Sequence, residues 1–324
     1  MDRQLLKRLS KGFQLVFALA VICVVGKFIL DQWQEISRIE CALNPLRLIF
    51  ALVFLLLFYL LYVFSWVRLI RWSTGRTSDT SAVRLAEIFF TSLITRYLPA
   101  GKIVNVGSRI ELYKREGGRR SIAAKSIIIE QLYLIGSALT FTWVTILLMP
   151  DVLLPREINP FRILILLGGA AILIVLFNAD VIFTKVVKQL KIKKLRELDF
   201  DFSWTQRLEI FCRYSMINFL QGSAAFFFLA SLYHNSVLNL ELFLYTAAAY
   251  PVSRFLGQMV LFIPGGVGVR EGLFAIALSS YFPVPTVLLA GAVMRLSSVV
   301  VEILIIMITI LVNRKEHGLA SLSG

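Results

Sequence analysis

The sequence predicts an all-α, polytopic membrane protein: about six spanning helices and two opposed re-entrant helical hairpins, arranged like an inverted repeat. Three observations carry that expectation. Of the 324 residues, 58% are hydrophobic and the mean hydropathy is +0.77, above the roughly 45–50% apolar content of soluble domains. Several apolar runs approach the ~20 residues that an α-helix needs to cross a bilayer. The excess of Lys and Arg, which sets the net charge at +14, is gathered in short segments between those runs, as in the cytoplasmic loops of membrane proteins. That placement accounts for the charge without a nucleic acid as partner.

The elements follow in order. Residues 13–30 form a first span. The basic stretch before it, with Arg3, Lys7, Arg8 and Lys11, has the look of a signal peptide. GKFILDQW follows where a small-residue cleavage site would stand, so the span is expected to stay uncleaved. Residues 48–67 form the second span and lead into Arg68, Arg71 and Arg76. Residues 122–149, 161–178, 210–232 and 286–312 complete the six. The Lys-rich segment 185–196 reads as an amphipathic stretch on anionic lipid.

Two stretches, 82–113 and 238–281, are neither clean spans nor ordinary loops. The cation-rich segments are the N-terminus, the loop after 48–67, 114–125, 185–196 and the tail with Arg314 and Lys315. Segments 31–47, 150–160, 233–240 and 281–285 are poor in cations. This alternation obeys the positive-inside rule only if 82–113 enters and leaves on the cytoplasmic side, and 238–281 on the outer side. Each is then a re-entrant hairpin, with its break at Pro99–Lys102 or Pro264–Gly268. Two short, strongly tilted spans would leave the orientation unchanged; the short halves favour the hairpin. The expectation is a single domain over 1–324. Its first half, about 1–149, carries the hairpin 82–113, and its second half, about 161–312, carries the hairpin 238–281. Both termini would be cytoplasmic, in the cell inner (plasma) membrane. RYLPAGKIVNVGSR at 96–109 and LFIPGGVGVR at 261–270 are loosely alike, each reading apolar, Pro, small residue, Gly and then Arg.

Irregular backbone at membrane depth must be buried in protein or line a wet cavity, because its N–H and C=O groups have no partner in hydrocarbon. A broken helix also presents free N–H groups and the positive end of its dipole, which favour phosphate-type anions. The site is therefore expected at the two breaks. Pro99, Gly101, Pro264, Gly265, Gly266 and Gly268 would shape them, with the glycines allowing close backbone approach. Lys102, Arg109 and Arg270 add cations beside them, and Arg suits phosphate through its planar fork. Charges inside spans are costly and tend to be functional. Glu130, Arg213, Arg254, Arg295 and Glu302 are the candidates. Against this stands a structural account, in which the charges only pair with one another: Arg270 with Glu271 or Glu302, and Arg84 with Glu87 three residues on.

Other chemistries find little support. Cys23, Cys41 and Cys212 show no disulfide or metal spacing, and His234 and His317 are far apart. There is no G-x-S-x-G, P-loop or H-E-x-x-H, so neither enzyme activity nor a cofactor is expected.

RYLPAGKIVNVGSRIELYKREG, the following IIIEQLYLI, FIPGGVGVREG and the final-span MRLSSVVVEIL together resemble the lysylphosphatidylglycerol synthase transmembrane-region family, also called flippase-like membrane proteins. The residues that match are Tyr97, Leu98, Pro99, Gly101, Lys102, Arg109 and Glu130 in the first half. In the second half they are the run Pro264–Glu271 with Arg295 and Glu302. Ala100 stands where the family commonly has Gly. The similarity extends over essentially the whole chain. It implies a multi-pass inner-membrane protein with two re-entrant hairpins. Members fused to a synthase domain move aminoacylated phosphatidylglycerol between leaflets; without that domain, this chain is not expected to make the lipid.

The expected function is translocation of an anionic phospholipid or polyprenyl-phosphate-linked lipid, with a phosphate headgroup held between the breaks. The alternatives are a secondary transporter of a small anion, proton-coupled through Glu130 or Glu302, and a non-transporting partner of a membrane glycosyltransferase. The expected partner is a membrane lipid with a phosphate headgroup, with a homo-oligomer or a membrane-enzyme partner as further alternatives.

Overall fold

The structure, a computed structural model, describes residues 43–74, 80–97, 101–148, 162–178, 202–233, 239–259, 266 and 268–320. Every regular element among them is helical. Four helices are long and apolar enough to cross a membrane: α1 (Pro45–Thr74), α4 (Arg120–Leu148), α6 (Trp204–Leu232) and α9 (Val284–Ala320), the last over Val284–Asn313. They identify a membrane protein. α5 (Arg162–Phe177) lies where the span 161–178 is expected, with 16 residues. The expected span 13–30, the Lys-rich segment 185–196, Cys23, Cys41 and His234 lie outside the described residues.

Local signals set the helix ends. Pro45 opens α1 at the first helical position, where its missing N–H costs nothing. Just before it, the Asn44 N–H donates to the Ser231 carbonyl at 2.9 Å, and Arg47 donates to the Ala230 carbonyl at 2.8 Å. The start of α1 is thereby tied to the end of α6. Ser203 opens α6 with a capping box. Its hydroxyl accepts from the Gln206 N–H at 3.3 Å, and the Gln206 side chain accepts from the Ser203 N–H at 2.9 Å.

α6 is the central helix. Its apolar stretch is 78% buried, and it packs against α1, α4, α9 and α7 (Leu240–Met259). By contrast, α1 and α9 keep large apolar side chains exposed, among them Leu56, Phe64, Leu296 and Ile308. In water such surfaces mark partner or aggregation sites; on spanning helices they meet lipid tails.

Both expected breaks divide helices. In the first half, α2 (Ala82–Ile94) runs through a 3-10 turn at Thr95–Tyr97, and α3 (Gly101–Arg115) follows. In the second, α7 ends at Met259 and α8 (Val269–Leu278) begins after Gly268. Pro99, Pro264 and Gly265 lie outside the described residues. One expectation needs correction. With 13, 15 and 10 residues, α2, α3 and α8 are short for spanning, but α7 has 20. At ~1.5 Å per residue that is about 30 Å, the length of a span. Three of the four arms are therefore short for spanning, and one is not.

α7 tolerates an internal proline. Pro251 removes the N–H that would have bonded the Ala247 carbonyl. Gly222 of α6 lies against that carbonyl, and a Cβ at position 222 would fall 2.3 Å from it. Two opposing effects meet in Gly222→Ala. Helix propensity favours Ala by about 0.8–1 kcal/mol, whereas overpacking costs about 1–3 kcal/mol. Because the obstacle is backbone, the steric term should win. The expected result is a lower thermal-unfolding midpoint in detergent; an unchanged or higher midpoint would show that α7 shifts freely.

Candidate functional site

The two broken pairs face one cavity of about 120 Å³. The first pair lines it with Arg96, Tyr97, Gly101, Lys102, Asn105 and Arg109, and the second with Arg254, Gln258, Gly266 and Arg270. α1 adds Tyr59 and Tyr62, α4 adds Glu130 and Gln131, and α9 adds Arg295 and Ser298. Eight sequence-predicted residues thus share one lining: Gly101, Lys102, Arg109, Glu130, Arg254, Gly266, Arg270 and Arg295. Gly268, Glu271 and Glu302 stand behind it, as braces for residues that line it.

Glycine geometry makes the breaks. A Cβ at Gly101 would fall 2.1 Å from the Arg96 carbonyl oxygen, so the chain folds back there against its own backbone. Gly266 has φ +67°, a left-handed conformation, with its Cβ position 2.5 Å from the Gly257 carbonyl. These contacts set the α2–α3 and α7–α8 arms close together and bring their cations to one place.

Three carboxylates anchor three of those cations. Arg109 and Glu130, 2% and 0% exposed, pair at 2.7 Å. Glu130 also accepts from Tyr62 at 2.7 Å and from Gln131 at 3.2 Å. The Arg109 Nε donates to the Ser92 hydroxyl at 3.1 Å, and its guanidinium lies 4.4 Å from the Phe89 ring centroid. Glu302 accepts from Arg96 and from the Tyr59 hydroxyl, with the Tyr97 hydroxyl at 3.3 Å. Glu271 accepts from Arg295 at 3.0 Å. Its other oxygen accepts from the Gly268 N–H at 2.8 Å, capping the first turn of α8. The end of α8 is therefore braced by a carboxylate of its own.

The two inward clusters share a plan. Each joins a tyrosine of α1, an arginine of the first broken pair and a glutamate of a spanning helix. α9 touches both broken pairs: Arg295 holds the second through Glu271, and Glu302 holds the first through Arg96.

Three cations are differently placed. Lys102 and Arg254 have no hydrogen bond or ion pair with a carboxylate among the described residues, and the Arg254 guanidinium lies 5.7 Å from the Phe58 ring centroid. Arg270 reaches Glu271 only at 4.0 Å, at the oxygen that Arg295 already holds. Among the described residues, neither its buried Nε nor the buried Gln221 Oε1 on the same lining has a hydrogen-bond partner.

Of the other expected pairings, two lie away from the cavity and one at its lining. Arg84 meets Glu87 at 2.5 Å as expected, and also Glu116 at 2.7 Å. Arg213 pairs with Glu209 one turn back at 2.8 Å, away from the cavity. Glu302 chooses Arg96 rather than Arg270.

Tyr59, Tyr62, Gln221 and Gln258 also line the cavity and are not among the sequence candidates. Their signal was available. A tyrosine hydroxyl inside a span needs a partner, and FLLLFYLLYVF sets two of them three residues apart, on one helix face.

The chain matches no protein-family model, and no curated protein matches it.

Proposed function

We propose that this chain is a flippase-like lipid translocase, moving an anionic phospholipid or a polyprenyl-phosphate-linked lipid between leaflets. One observation carries the reading: cations that, among the described residues, have no carboxylate of their own, gathered where two helix breaks meet inside a bundle of spanning helices. Buried charge without a partner is costly, so such a cluster supports an anionic ligand. The gap at Gly101 supports a phosphate in particular, because the first N–H groups of α3 have no intrahelical partner. The cavity volume, about 120 Å³, is well under the roughly 300–1,000 Å³ of sites that enclose a whole drug-sized ligand. It suits a headgroup whose tails remain in the bilayer.

In this reading the chain has six spans and two opposed re-entrant hairpins, with both termini cytoplasmic in the inner membrane. The family is the lysylphosphatidylglycerol synthase transmembrane region. Transport proceeds by rocking one half against the other around the headgroup, as in inverted-repeat carriers. α9, bonded to both broken pairs, is the element that would relay one half's movement to the other. No covalent step is involved.

The test is reconstitution into vesicles with headgroup-labelled lipid and outer-leaflet quenching. Protein-containing vesicles should expose inner-leaflet label faster than empty ones. Arg254→Ala should slow that exchange by about tenfold or more, the effect of ~1.4 kcal/mol. Equal exchange with and without protein, across phospholipids and polyprenyl phosphates, sinks the proposal. One observation favours the small-anion, proton-coupled alternative: Glu130 and Glu302 are both carboxylates beside the cavity. Uptake of a soluble anion that drops in Glu130→Gln and Glu302→Gln, with no lipid exchange, would support it.

A further inference from the structure

We infer that the cavity is built for a phosphate bearing two or more negative charges, a phosphomonoester or diphosphate terminus, rather than a phosphodiester or a zwitterionic headgroup. The inference rests on the reading that the cavity binds phosphate, and adds the valence. Its basis is the charge balance of the lining. Six cations face the cavity or brace it: Arg96, Lys102, Arg109, Arg254, Arg270 and Arg295. Three carboxylates answer them: Glu130 held by Arg109, Glu302 by Arg96, and Glu271 by Arg295 at 3.0 Å with Arg270 more distant at 4.0 Å. Six less three leaves three positive charges among the described residues.

The surplus is converging, not scattered. Lys102 comes from the first turn of α3, Arg254 from α7 and Arg270 from α8, so three elements aim cations at one volume. Arg254 is 7% exposed and makes no hydrogen bond among the described residues. A side chain so buried, lining a cavity and without a hydrogen-bond partner among the described residues, favours an anionic ligand. A phosphodiester brings one charge and leaves two cations uncompensated. A phosphomonoester brings about −1.5 to −2 at neutral pH, with three strong acceptor oxygens. Those oxygens match three donors from three directions, and guanidinium forks favour them. A headgroup carrying an ammonium would put a further cation into a lining already in surplus, and is disfavoured by repulsion.

The experiment is a binding titration of the purified full chain in zwitterionic micelles at neutral pH. The probes are phosphatidic acid, phosphatidylglycerol and phosphatidylethanolamine, with inorganic phosphate and pyrophosphate in separate arms. Phosphatidic acid should bind about tenfold or more tighter than phosphatidylglycerol, a gap of ~1.4 kcal/mol, and phosphatidylethanolamine weakest of all. Lys102→Gln, at a half-buried position, and Arg254→Gln should each narrow that gap. Both are checked for folding by size exclusion and thermal midpoint. Equal affinity for phosphatidic acid and phosphatidylglycerol overturns the valence inference while the translocation proposal stands. Tight pyrophosphate binding with no measurable binding of any of the three lipids supports the valence and overturns the lipid reading. An unchanged gap in both folded variants overturns the assignment of the surplus to these residues.

Discussion

Arg109→Ala is expected to lose about 3–5 kcal/mol of stability, the cost of breaking a buried ion pair by removing one partner. The pair is almost wholly enclosed. Without the guanidinium, Glu130 keeps only the Tyr62 and Gln131 donors at 2.7 and 3.2 Å. Its charge then sits in a lining it was meant to neutralise. The substitution also empties the space against Phe89 and leaves the Ser92 hydroxyl without its Nε donor. Arg109→Lys should be milder, because it keeps the charge while losing the planar fork. Arg109→Met with Glu130→Met should recover much of the loss, since an apolar pair removes both desolvation costs. Thermal midpoints in one detergent, with the double-mutant coupling, provide the check. A folded Arg109→Ala protein with an unshifted midpoint and abolished ligand binding would reverse the assignment, making Arg109 a ligand group rather than a brace.

The position of the breaks was readable because proline, glycine and charge are crowded there within a few residues of apolar sequence, and irregular backbone at that depth has to be buried in protein or line a wet cavity. The pairing of the charges was not. Arg295 and Glu302 stand seven residues apart on one helix, so they face the same way. Seven residues at ~1.5 Å put them about 10 Å apart along α9, and each reaches a different broken pair. Sequence spacing gives the face of a helix, while the height along it decides the neighbour. α7, with 20 residues, is longer than the short arm expected before Pro264. Its internal Pro251 does not end it, because the cost falls on one carbonyl, Ala247, in a tight contact with α6. Tyr59 and Tyr62 were hidden by their own class: in a span, a tyrosine counts as apolar until its hydroxyl finds a carboxylate.

Glu302→Gln should move binding and transport in opposite directions. Glu302 is 1% exposed and neutralises Arg96 while accepting from Tyr59 and Tyr97. Glutamine keeps the shape and one acceptor oxygen but removes the charge. Arg96 then joins Lys102, Arg254 and Arg270, and the cationic surplus rises by one. A doubly charged phosphate should bind about tenfold tighter, ~1.4 kcal/mol. Translocation should slow, because a ligand held more strongly in the cavity leaves it with a larger barrier, and interactions that stabilise the bound state alone do not speed the step. The bond between α9 and the first broken pair weakens as well, which slows any movement that α9 relays. Adding Arg96→Gln returns the surplus to three and should bring affinity back toward its original value, while transport stays slow for want of the α9 contact. The readouts are a lipid-binding titration and the vesicle-exchange rate on the same preparations. Weaker binding in a folded Glu302→Gln protein would mean that this carboxylate supports the ligand through geometry, and that charge balance does not govern the cavity.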